Sequence, residues 1–309
     1  MILGIDIGGT TSKLGLVRDG RVIARTRMNT LGHADDRAFA DALAHATREL
    51  LRGSGERDLI SVGIGAPNAN QLTGIIEMAP NLPWKHDVPL ARMMTDRLGV
   101  PAVLGNDANA AALGEWLYGA GQGVNDLLVV TLGTGVGSGF IVNGQLILGS
   151  AGNAGELGHL TMDVNGRPCT CGRAGCLESY VSIRGMRQTY AEESGLGEGE
   201  GPLATAGVLP IAEAARSGDL AALRTFERTV AWLAVGLANA VCATGPRRIV
   251  LFGGIARNGE LLMAPLRDRF TTALLNIYRG RVDITVSALP DDDAALLGAA
   301  ALGTLSTLT

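Results

Sequence analysis

The chain opens on a nearly unbroken apolar run, Met1 to Ile7, interrupted by Gly4 and Asp6 and closed by Gly8-Gly9. A block of that length and boundary predicts a buried strand. Two further strands are predicted over Lys13 to Val17 and Arg21 to Arg27, with Asp19-Gly20 as the tight turn between them. The period then changes. From Asp35 to Arg52 the apolar positions recur at helical spacing, with Asp35 and Asp36 in the first turn and Gly53 past the end. The same alternation predicts strands over 59–64, 100–104, 126–131, 139–142, 145–148, 248–252 and 282–286. It predicts helices over 88–98, from just past Asn109 to about Tyr118, and over 182–193, 210–216, 219–243, 261–278 and 291 to about 305. The helix over 219–243 is mostly apolar, which predicts burial, and Cys242 on it reads as a small core residue. Asp291, Asp292 and Asp293 read as caps of the last helix, not as a metal site.

One arrangement occurs twice. A strand runs into Gly8-Gly9-Thr10-Thr11, followed by a strand, a turn and a strand. Another runs into a glycine-rich loop from Leu132 to Gly139 that includes Gly133-Thr134-Gly135, then a strand, the turn Asn143-Gly144 and a strand. Glycine hairpins leave backbone N–H groups pointing at phosphate oxygens, and Thr10 and Thr11 add hydroxyl donors. Asp6 stands where a carboxylate holds Mg²⁺ through water. A plain β-hairpin is the competing reading. The next element is a strand rather than a helix, so neither copy is a Walker loop. The repetition predicts two related halves facing each other across a cleft. A third glycine pair, Gly253-Gly254, lets a flat base or ribose approach backbone, or simply turns the strand into a helix.

Composition narrows the class. The 309 residues suggest about two domains, and 47% hydrophobic content with 18% charge is that of a globular protein. A net charge of −4 without a basic block gives no sign of nucleic-acid binding. The absence of a membrane-length apolar run or a signal pattern makes a cytoplasmic location the expectation. Three of the four cysteines, Cys169, Cys171 and Cys176, fall within eight positions, and His159 precedes them by ten. Three thiols and an imidazole are the donor set of a closed tetrahedral Zn²⁺ site, here a structural clamp, and Glu156 and Glu178 bracket it. Asp107 lies at the junction of a strand and an alanine-rich helix. Asn106 and Asp107 are both N-cap residue types, yet one cap suffices. A carboxylate there also faces the strand-end crevice where open α/β sheets bind ligands. The proline-containing segment from Gly65 to Trp84, which includes Asn81, is read equally well as a ligand-facing loop or a surface connection.

Taken together, Asp6-x-Gly8-Gly9-Thr10, Asn106-Asp107, Leu132-Gly133-Thr134-Gly135, Gly155-Glu156-x-Gly158-His159 and Cys169-x-Cys171-Gly172-x2-Gly175-Cys176-x-Glu178 resemble the ROK family of bacterial sugar kinases and related repressors. The resemblance implies an actin-like ATPase fold of the hexokinase type, with two α/β domains around a central cleft. These are expected over 1–118 plus about 290–309, and over 119–289. It implies Asp107 as catalytic base, and Gly65, Asn81, Asn106, Asp107, Glu156, His159 and Glu178 around a sugar. Phosphate loops are implied at Asp6, Gly8, Gly9, Thr10 and Thr11 and at Gly133, Thr134 and Gly135, and an adenosine loop at Gly253 and Gly254. The metal ligands would be His159, Cys169, Cys171 and Cys176. The implied activity is phosphorylation of a hexose hydroxyl, at C6 of glucose or a close relative, by ATP with Mg²⁺, in a homo-oligomer (dimer or tetramer). The alternatives are an N-acetylhexosamine, fructose or polyol as substrate, or a sugar-binding regulator without catalysis. Family repressors carry an extra N-terminal DNA-binding domain, whereas this chain starts at the phosphate strand, which favours an enzyme. Many family members have Lys directly after the first Gly-Gly-Thr; here Thr11 stands there and the lysine is Lys13.

Overall fold

A computed structural model describes residues 1–79, 81–290 and 292–306. The chain forms two compact units, Met1–Gly123 with Leu146–Ala154 and Ala288–Thr309, and Val124–Gln145 with Gly155–Ser287.

The first unit starts with Ile2–Ile7 (β1), Thr11–Arg18 (β2), Arg21–Asn29 (β3), Asp36–Ser54 (α1) and Ser61–Gly65 (β4). A two-stranded pair follows, Ala69–Asn70 (β5) and Ile75–Ile76 (β6), then Leu90–Leu98 (α2), Ala102–Gly105 (β7) and Asp107–Tyr118 (α3). The main sheet has the order β3-β2-β1-β4-β7. Its first three strands are antiparallel, and β1, β4 and β7 run parallel. Asp19 and Gly20 both have positive φ, as the primed hairpin turn demands. The carboxylate of Asp35 caps α1 by accepting from the Ala38 N–H at 2.7 Å. That helix runs past Gly53 and stops at Gly55, which takes the left-handed conformation and donates to the carbonyls of Arg52 and Leu51.

The second unit holds Leu127–Leu132 (β8), Val136–Val142 (β9), the first residue of Gln145–Leu146 (β10), Glu178–Val181 (α4), Ile183–Ser194 (α5), Leu209–Arg216 (α6), Leu220–Thr244 (α7), Arg248–Phe252 (β11), Gly259–Ala273 (α8) and Asp283–Val286 (β12). Its sheet order, β10-β9-β8-β11-β12, repeats that of the first: an antiparallel hairpin beside parallel strands. The run Val136-Gly137-Ser138-Gly139, read above as part of a loop, belongs to β9, because Leu132 to Leu128 supply a continuous partner register. The predicted helix over 261–278 breaks at extended Leu274, and only a short 3₁₀ turn, Asn276–Tyr278, follows. Along α7, Phe226, Val230, Leu233, Leu237 and Val241 are buried at helical spacing. Cys242 is exposed, not core: one step past Val241 rotates it about 100° off that stripe.

The last helix, Ala294–Leu305 (α9), returns to the first unit and is buried along most of its length. It lies directly on the strands: a Cβ at Gly4 would run into the Leu296 carbonyl oxygen, and one at Gly63 into that of Ala299. Asp293, read as a cap of this helix, makes no side-chain cap bond and pairs with Arg25 at 3.1 Å instead. Asp291 lies outside the described residues. Among the described residues no helix is long and apolar enough to cross a membrane.

Candidate active site

In the first unit the parallel register sets Asp6, Gly65 and Gly105 in one row across β1, β4 and β7. Two strand spacings put the ends of that row roughly 10 Å apart. Beyond Gly105 the chain turns into α3. The Asn106 side chain accepts from the Asn109 N–H at 2.7 Å and is the N-cap. Asp107 is therefore released from capping. It is exposed at the first helical position, and its Oδ1 accepts from the Ala108 N–H at 2.9 Å. Asp6 is half-buried. Burial pushes its carboxyl above the usual 3.8, Lys13 pulls it back, and the charge of Asp107 raises it further, so the two carboxylates feel each other's field. Lys13 sits directly opposite Asp6 on β2.

The first glycine hairpin, Gly8-Gly9-Thr10, is closed by the Gly8 N–H donating to the Thr11 carbonyl at 3.1 Å. Thr30, just past β3, holds it from behind. Its N–H donates to the Thr10 carbonyl at 2.8 Å, its hydroxyl donates to the Gly8 carbonyl at 2.8 Å, and Ser12 Oγ lies 2.8 Å from that hydroxyl. Both hydroxyl residues are fully buried. Thr30 has no motif signal, because its role depends on strand register. Exposed Asn81 comes to this hairpin: a Cβ on Gly9 would lie 2.7 Å from the Asn81 carbonyl oxygen. Its loop is anchored by buried Leu82 and Trp84, whose ring lies 4.7 Å from that of Phe39. Gly65 is buried, and a Cβ there would face Ala110 and Ala299, so it belongs to the floor of this edge.

In the second unit the turn Gly133-Thr134-Gly135 joins β8 to β9, with the Gly133 N–H donating to the Gly135 carbonyl at 3.0 Å. β11 lies beside β8, which brings Gly253 to the same edge: a Cβ on it would enter the Leu132 carbonyl oxygen, and its φ of 105° suits glycine. Gly254 is held by Asn258, whose amide donates to its carbonyl at 3.1 Å.

The metal-type residues converge. One ligand atom from each of His159, Cys169, Cys171 and Cys176 lies within 4.8 Å of the others. Cys169 Sγ stands 3.7 Å from His159 Nδ1, and Cys171 Sγ stands 3.7 Å from Cys176 Sγ. Burial opposes ionisation of Cys169, but hydrogen bonds from Cys171, Cys176 and His159 bring it down to about 6. Cys176 is pushed up to about 12, first by burial and then by its two thiol neighbours. Three sulfurs this close can all be thiolates only around a cation, so the donor set fits Zn²⁺. Exposed Glu156 and the short 3₁₀ turn Leu157–His159 lead into the site, and half-buried Glu178 leaves it. Arg167, which no motif marks, staples the loop. Its guanidinium donates to the carbonyls of Ser179 and Gly185 at 3.1 Å each and to Glu192 at 2.6 Å, and lies over the Tyr180 ring.

The comparisons with known proteins match this layout along the whole chain. The ROK family model matches residues 2–304. A glucokinase of Thermotoga maritima is 35% identical over 97% of this chain and 96% of its own. The structure of a ROK family glucokinase from Streptomyces griseus, in complex with glucose and AMPPNP, is 34% identical with a TM-score of 0.79, covering 98% of this chain and 99% of that one. A ROK hexokinase from Thermus thermophilus reaches a TM-score of 0.83 at 32% identity, over 99% of both chains. The doubled sheet is thus the actin-like ATPase fold of the hexokinase type. With both glycine hairpins, the Asn106-Asp107 junction and the histidine–cysteine cluster in order along it, the chain belongs to the ROK family.

Proposed function

We propose that this chain is an ATP-dependent hexose kinase, acting at C6 of glucose or a close relative. The observation that carries the proposal is the row Asp6–Gly65–Gly105 with exposed Asp107 just beyond it, freed from capping by Asn106. Asp107 accepts the proton of the sugar hydroxyl while that oxygen bonds to the γ-phosphorus. The bond from phosphorus to the β–γ bridging oxygen breaks and ADP leaves with the electron pair. Asn106 has its Oδ1 committed to the cap, so its amide is the part that donates to a sugar oxygen. Asn81, Glu156, His159 and Glu178 are the further residues assigned to sugar hydroxyls. Gly8 to Thr11 and Gly133 to Gly135 bind phosphate, and Gly253-Gly254 the adenosine. Asp6 would hold Mg²⁺ through water, and that ion supplies charge neutralisation on the phosphates. His159 and the three cysteines would hold Zn²⁺, whose closed coordination supplies rigidity and no open site for chemistry. The homo-oligomeric state expected for the family is part of the same proposal.

The test is ADP release from ATP and Mg²⁺ across hexoses, N-acetylhexosamines and polyols. The expected result is turnover with glucose above the others. A sugar-dependent thermal shift with no ADP release for any sugar would instead identify a non-catalytic binder.

A further inference from the structure

The β8–β9 hairpin is touched at three points by the stretch 158–183, within which the metal-type residues lie. Val136, the first residue of β9, donates its N–H to Glu178 Oε2 at 2.9 Å across 42 positions of sequence. The other oxygen, Oε1, stands 3.5 Å from Thr170 Oγ1 and 3.9 Å from Cys169 Sγ, both in the cysteine loop. On the other arm, Gly158, next to His159, touches the same hairpin: a Cβ there would enter the Val136 carbonyl oxygen. Past Glu178, the Ile183 N–H donates to the Gly133 carbonyl at 2.8 Å. The fit at Glu178 is close enough that a Cβ on Gly135 would lie 2.6 Å from Oε2.

We infer that Glu178 is a positioning residue that ties the metal loop to the second phosphate hairpin, so that an ion held by His159, Cys169, Cys171 and Cys176 stiffens the nucleotide side of the protein. This rests on the proposed function only for what the hairpin binds. A carboxylate has about four lone-pair directions, so holding Val136 leaves Glu178 capacity to accept from a sugar as well. A hydrogen bond to a charged acceptor is among the stronger ones, which suits a brace between a loop and a strand end.

The test measures two things without sugar: the affinity for a non-hydrolysable ATP analogue by calorimetry, and amide deuterium exchange over 132–137. Glu178→Ala is expected to weaken nucleotide binding about three- to tenfold and to speed exchange at Val136, with zinc content unchanged. Glu178→Gln keeps an oxygen that accepts the same bond without the charge, so its nucleotide affinity and Val136 exchange are expected to fall between those of wild type and Glu178→Ala. Gly135 has a negative φ, so Gly135→Ala is disturbed only by its neighbours. It should mimic Glu178→Ala, and the double variant should be no worse than either single, because both remove one contact. Chelation of the wild-type protein should reproduce the faster exchange. Unchanged Val136 exchange in Glu178→Ala, or additive effects in the double variant, would overturn the inference. A wild-type protein that binds no nucleotide overturns the kinase reading, and the brace is then decided by exchange alone.

Discussion

The two glycine hairpins each span three residues between strands, but they are supported differently. In the first, Ser12 on β2 and Thr30 just past β3, both neutral and fully buried, hold the turn through hydroxyls close to the sheet. In the second, a carboxylate reaches in from the loop that gathers three thiols and an imidazole. Hydroxyl donors inside a sheet are set by register and last as long as the fold. A carboxylate on a loop of glycines and cysteines is only as well placed as that loop. The first hairpin is thus stable by construction, and the second is conditional on whatever orders residues 159–178.

The comparison can be broken most severely where only one unit carries chemistry. Asp107→Asn should lower kcat about 10²- to 10⁴-fold while glucose still binds, as steady-state turnover beside calorimetry would reveal. Near-normal turnover would remove Asp107 from its role. Next in size is Cys171→Ser, which changes the exposed member of the proposed metal set. It should abolish stoichiometric zinc, lower glucose affinity at least tenfold and leave the first unit's exchange pattern intact, as read by elemental analysis, binding and deuterium uptake. A smaller loss is expected for Thr30→Val, which strands the Gly8 carbonyl. The cost is about 1–3 kcal/mol, seen as a fall of a few degrees in Tm and faster exchange confined to residues 8–12, whether or not zinc is bound. The smallest effect has the opposite sign. Asp6 is raised above 3.8 mainly by burial, so the folded state holds its proton more tightly than the unfolded one. Stability therefore falls as pH rises from 3.8 through the folded value, and stays lower above it. Asp6→Asn removes that loss. Its Tm should exceed wild type by a degree or two at pH 7, with the gain vanishing near pH 3.8, even as activity drops.

Much of the architecture was readable from local pattern. Asp19-Gly20 announced its turn, the two glycine-threonine hairpins announced the repeat, and Asn106-Asp107 offered two caps for one helix end. Errors arose where a strong local signal met a tertiary one. Gly53 looked like a helix stop, but Gly55 was the residue free to turn left-handed. Val136 to Gly139 looked too rich in glycine for a strand, yet its neighbour's register held it straight. Cys242 has apolar neighbours in sequence, yet a single step around the helix puts it in solvent. At the site, residue types and order were legible because they are the chemistry itself. Thr30, Arg167 and the bond from Val136 to Glu178 were not, since each joins positions that only folding brings together.

The seating of α9 bears on how the protein is made. Its carbonyls rest on Gly4 and Gly63, strand positions emptied of side chains to admit it. On a ribosome, the opening strands emerge long before residues 294–305 exist. The first sheet must wait, with its glycine-lined face bare, until the far end of the polypeptide arrives to cover it. A chain stopped short of α9 is consequently expected to leave that face open and to be cleared by proteolysis rather than to persist as a half-enzyme.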